Sequence, residues 1–106
     1  MIEEIKKLSE DFFKEIQSIR RHLHRNPELS FQEFETSKFL TEKLESWGIP
    51  IDKYWVKTGF SVVIDSGKPG PMIALRADLD ALPIEEENTT DYVSKNQGVM
   101  HACGHD

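Results

Sequence analysis

Ile2, Ile5, Leu8, Phe12, Ile16, Ile19 and Leu23 recur every three or four residues along the first part of the chain. That interval gathers side chains on one face of an α-helix. The pattern predicts a first helix packed along this stripe and ended by Asn26-Pro27, because proline keeps its predecessor out of helical angles. Ser30 with Glu33 has the S-x-x-E form of a capping box. It predicts a second helix with Phe34, Leu40, Leu44 and Trp47 on its apolar face and Gly48 just past its end. After Pro50 the period changes. Ile51–Val56, Phe60–Asp65 and Met72–Asp78 are short runs rich in β-branched and aromatic residues, which predict three strands. Thr58-Gly59 would turn the first two into an antiparallel hairpin, and Gly67–Pro71 would separate the second from the third. From Ala81 to Gln97 the chain is polar and reads as a loop, with Glu85, Glu86 and Glu87 on a solvated face. The expected fold class is α/β, in the order α-α-β-β-β. Two helices cannot cover both faces of such a sheet, so the expectation is an incomplete three-layer sandwich.

Composition narrows the classes of function. The chain has 106 residues, 38% hydrophobic and 30% charged, and a formal charge of -6. No basic stripe is present, so nucleic acid is not an expected partner. The N-terminal segment is amphipathic and charged throughout, unlike a signal peptide or membrane span. No membrane partner is therefore expected. A single cysteine cannot form an internal disulfide, and the expected location is cytoplasmic. Neither G-x-G-x-x-G nor a Walker A pattern occurs, so nucleotide binding has no support.

The candidate chemistry lies in His101-Ala102-Cys103-Gly104-His105-Asp106. Cys103 and His105 stand two positions apart around a glycine, so thiolate and imidazole can turn toward one cation of soft or borderline character. Two donors leave a metal site incomplete, and an ordinary thiol near an ordinary imidazole is the plain alternative. His101 could be a third ligand, a supporting group or a surface residue. Asp78 and Asp80 would share one face at the end of the third strand. The plain reading there is a solvated strand end with a carboxylate paired to Arg76. His22 and His24 end the first helix, where cationic groups complement the helix dipole. They read as structural.

Three blocks carry a resemblance. They are Arg20-Arg21-His22-Leu23-His24-Arg25-Asn26-Pro27-Glu28-Leu29-Ser30 with Glu33, then Ala74–Glu86 around Arg76-Ala77-Asp78-Leu79-Asp80, then Gly98–Asp106. In this order and spacing the chain resembles the peptidase M20 amidohydrolases, in the subgroup of hippurate hydrolase, N-acyl-amino-acid amidohydrolases and auxin-conjugate hydrolases. The resemblance implies a zinc-peptidase-like catalytic domain, of which residues 1–106 would be the N-terminal portion. The general base, further ligands and an inserted dimerisation domain would follow residue 106. It implies a hydrolase that cleaves the amide of small N-acyl amino acids with two divalent ions (zinc, manganese or cobalt) and acts as a homodimer. It places Cys103 and His105 among the metal ligands. Asp80 falls where the family has a carboxylate that orients a ligand, while Asp78 departs from the wider family's histidine in the manner normal for this subgroup. The portion alone is expected to be inactive. The competing expectations are a non-catalytic truncated remnant and a small metal-binding module drawing further ligands from His101, Asp78 or Asp80.

Overall fold

The computed structural model describes all of residues 1–106. Helix α1 runs Ile2–Arg25 and α2 runs Phe34–Ser46; strands β1 (Ile51–Tyr54) and β2 (Phe60–Val62) follow. Glu3 and Glu4 in the first turn of α1 and Arg25 in its last turn complement the helix dipole. Asn26 stops the helix, its side-chain amide donating to the His22 carbonyl at 2.8 Å. Pro27 behind it is fully buried.

Helix α2 ends as its sequence predicts. Gly48 takes φ +76, its N–H donates to the Glu45 carbonyl, and the Ile49 N–H donates to that of Leu44, both at 2.9 Å. This pair of bonds is a Schellman motif, and the left-handed angle suits glycine. The start of α2 departs from the expected capping box. Glu33 is the N-cap residue and no side chain of its own caps the helix. Its carboxylate instead accepts the Phe31 N–H at 2.9 Å and the Thr58 hydroxyl at 2.7 Å. Ser30 turns away and donates to Asp80. The free N–H groups of Glu35 and Thr36 go to the carboxylate of Glu28.

The hairpin forms as expected. β1 and β2 pair antiparallel with Ile51 opposite Val62 and Tyr54 opposite Phe60, interrupted by an irregularity between Ile51 and Lys53. The third strand does not form. The sheet has two strands, and residues 71–78 are exposed without a ladder partner. β-propensity describes how a side chain suits a pleated surface, but a strand exists only where a neighbouring backbone accepts its hydrogen bonds. The expected packing of α1 also fails. Ile2, Ile5, Leu8, Phe12 and Ile16 all remain exposed.

What is buried lies elsewhere. Ala81 and Val99 join Pro27 as the buried apolar residues, beside a polar set comprising His24, Glu33, Thr36, Ser37, Thr41 and Thr58. The interior is the junction of the end of α1, the start of α2 and the loop that follows residue 80. That junction positions the candidate site.

Candidate metal centre

The segment 81–106 folds back on α1 through a few backbone bonds. The Ala81 N–H donates to the Glu28 carbonyl at 2.7 Å, and Leu82 and Met100 exchange N–H···O bonds at 2.9 and 3.0 Å. The bridge to Met100 carries the chain directly into His101. Lys95 N–H reaches the Arg25 carbonyl at 2.9 Å, and the Asn96 amide reaches that of Pro27 at 3.2 Å. Gly98 turns the loop with φ +76, its N–H held by the Glu85 carboxylate.

The side chains of α1 reinforce the fold-back. His24 is buried, and its Nε2 lies 2.9 Å from Oε2 of Glu86. Tyr92 meets the His24 ring edge-on at 5.9 Å, and the Arg21 guanidinium lies 4.6 Å from the centre of the Tyr92 ring. Glu86 is therefore not part of a solvated face. Its side chain is almost wholly covered. Burial pushes its pKa up, but the His24 hydrogen bond, the Ser94 N–H and the Asn88 amide outweigh burial and bring it down to about 2. Glu85 holds the Gly98 N–H but stays exposed, so Glu85 and Glu87 are the solvated members expected. His22 stacks on Phe39 at 3.9 Å. Burial lowers its pKa, helped by the charges of Arg25, Lys43 and Lys95.

Cys103 and His105 come together. Cys103 Sγ lies 3.6 Å from His105 Nδ1, in a turn closed by the Asp106 N–H on the Cys103 carbonyl at 3.2 Å. Sulfur and nitrogen donors at zinc bond lengths of about 2.3 Å and about 2.0–2.1 Å, set at a tetrahedral angle, lie roughly 3.6 Å apart. The pair is in hydrogen-bond contact at a separation that one shared cation could also span. Arg20 grips the same turn, its Nη2 2.6 Å from Asp106 Oδ2.

The turn forms one wall of an open cavity of about 400 Å³ whose other walls include Arg20, His24, Tyr92 and His101. Nδ1 of His24 and Nε2 of His101 are both buried without a hydrogen-bond partner in the protein. Burial lowers the pKa of His101; the charges of Asp106 and Asp80 oppose this, and His24 adds to it.

The other expected residues are not gathered. No group of three or more His, Cys, Asp or Glu side chains is placed to hold a cation. His101, Asp78 and Asp80 are not gathered around Cys103 and His105. Asp78 is exposed and pairs with Arg76 at 2.6 Å, the plain reading of that position. Asp80 is half-buried and accepts the Ser30 hydroxyl. They share no strand face, because the strand is absent. Arg20, Glu86 and Glu28 were not singled out by sequence. The available signal was the four-residue spacing of Arg20 and His24, which puts them on one face of α1.

Residues 74–106 match the sequence model of peptidase family M20/M25/M40. The chain is 50% identical to an N-acyl-L-amino acid amidohydrolase of Geobacillus stearothermophilus, over 98% of this chain and 28% of that protein. The chain is similar to proteins of the M20 peptidase family. An N-acetyl-L-cysteine deacetylase of Bacillus subtilis is 54% identical over 88% of this chain and 22% of its own length. Among solved structures, the Bacillus subtilis YxeP protein, a dinuclear metal-binding peptidase of the M20 family, matches with a TM-score of 0.84 and 46% identity. The match covers 91% of this chain and 27% of that one. The chain thus spans about a quarter of the length of these relatives. Its α/β arrangement matches the N-terminal part of M20 peptidase structures.

Proposed function

We propose that this chain supplies Cys103 and His105 as ligands in a metal-dependent amidohydrolase acting on small N-acyl amino acids. The observation that carries the reading is the 3.6 Å approach of His105 Nδ1 to Cys103 Sγ, with Cys103 on the wall of an open, polar cavity. The relatives named for N-acyl amino acids and for a dinuclear metal centre support it.

A divalent ion held there would polarise an amide carbonyl and activate water. The chain's own residues prepare the place. Cys103 would offer a thiolate sulfur as a bound ion displaced its proton, a donor that suits zinc or cobalt better than magnesium. His105 offers an imidazole nitrogen fixed by the same turn. Asp80, held by Ser30, puts a negative charge in the field of His101 and is assigned an orienting role toward the ligands. Because two donors do not fill a coordination sphere, the remaining ones are assigned to other residues of the whole protein. The residues of 1–106 by themselves are assigned no turnover.

The test is Cys103→Ser in the whole protein, with metal content and hydrolysis of N-acyl amino acids measured together. A hydroxyl is a far poorer ligand than a thiolate for a borderline-soft ion. The expected outcome is loss of bound metal and of most activity. Unchanged metal stoichiometry with unchanged turnover would remove Cys103 from the centre.

A further inference from the structure

Four residues of the last two turns of α1 engage the 81–106 segment through their side chains. Arg25 donates from its guanidinium to the Asp91 carbonyl at 3.2 Å, Arg21 covers Tyr92, and His24 meets buried Glu86. One turn before His24, on the same face, Arg20 reaches Asp106 across 86 positions of sequence. The first three contacts hold the loop. Arg20 alone holds the peptide that carries Cys103 and His105.

We infer that Arg20 is a positioning residue for the ligand turn, acting through Asp106 to fix the approach of Cys103 and His105 to a shared cation. The inference rests on the reading of those two residues as ligands. Its physical basis is local. The turn is closed by one backbone bond, from Asp106 to Cys103. Both donors are exposed and otherwise unrestrained by a side chain outside the turn. A peptide with a glycine at its centre samples many backbone states, and only some bring sulfur and nitrogen to a common ion. The Arg20–Asp106 pair selects among them by anchoring Asp106 to a helix end that His24 and Glu86 hold in place. Asp106 is the more sheltered partner, with 18% of its side chain exposed against 48% for Arg20. The contact joins one guanidinium nitrogen to one carboxylate oxygen, a geometry an ammonium can reproduce. Partners that orient metal ligands typically contribute about 10–100-fold to affinity.

The experiment uses Co²⁺ in the whole protein, read by its thiolate-to-cobalt absorption band. Arg20→Gln is expected to weaken Co²⁺ binding by about 10-fold or more, with an unchanged thermal midpoint because Arg20 is half exposed. Arg20→Lys is expected to recover most of the loss. Asp106→Asn should match Arg20→Gln, and the double variant should bind no more weakly than either single one, as coupled residues do. A normal band and normal affinity in Arg20→Gln, or additive losses in the double variant, would overturn the inference while leaving Cys103 as a ligand. Absence of the band in the unaltered protein would overturn both.

Discussion

Glu86 shows how far a residue's role can depart from its local sequence. In the run Glu85-Glu86-Glu87 all three carboxylates look alike, yet one is covered and takes hydrogen bonds from His24, Ser94 and Asn88. Its partner His24 is 62 positions away, and nothing in either segment announces the other. Cys103 and His105 were legible for the opposite reason, since two donors separated by one glycine are neighbours whatever the fold. The depressed pKa of Glu86 has a consequence with a definite sign. A carboxylate at about 2 in the folded protein, against an ordinary 4.5, adds stability that is fully present above the ordinary value. That stability is lost as pH falls from about 4.5 towards about 2. Glu86→Gln should lower stability at neutral pH by about 1–3 kcal/mol, because buried donors lose a charged acceptor. It should also flatten the decline of stability with acid. Urea midpoints of the whole protein at about pH 7, pH 5 and pH 3 test both parts. Parallel curves for the two proteins would mean that Glu86 carries no titrating contribution.

At the scale of elements, periodicity located what depends on neighbours in sequence. The two helices, the hairpin and the Gly48 stop all follow from local spacing. The start of α2 does not, because two residues compete for the same job. Ser30 and Glu33 satisfy the capping-box pattern, but Ser30 serves Asp80 and Glu33 serves Phe31 and Thr58. Glu28, outside the pattern, approaches the helix end and takes the N–H groups of Glu35 and Thr36. An anionic acceptor at a helix N-terminus is favoured by both the free N–H groups and the dipole. Glu28→Ala should therefore cost about 1–2 kcal/mol, the usual effect of losing an N-terminal cap. Ser30→Ala should cost less. A capping box predicts the reverse order, so the denaturation midpoints of the two variants decide between them.

For the whole molecule the decisive quantity is how little apolar surface the chain covers. The radius of gyration is 15.7 Å, against about 13 Å for a compact chain of this length. Three apolar residues, Pro27, Ala81 and Val99, are buried, while Met72, Ile73 and Leu75 are 89%, 81% and 97% exposed. The third strand was illegible as an error for this reason. Its sequence is that of a strand buried on both faces, and the 106 residues contain no backbone to pair with it. The apolar stripe of α1 has the same history, correct in pattern and without a surface to cover. Such a core falls short of what offsets the conformational entropy of folding. An unpaired, β-rich apolar segment is also a template for pairing with another copy. Residues 1–106 expressed alone should therefore form concentration-dependent oligomers and melt without a sharp transition. Leu75→Lys should shift the distribution toward monomer by placing a charge on the open segment. Light scattering coupled to size exclusion, together with a thermal scan, provides the check. A monomer with a cooperative transition would show that the polar junction of His24, Glu33, Glu86 and Thr58 suffices to hold the fold.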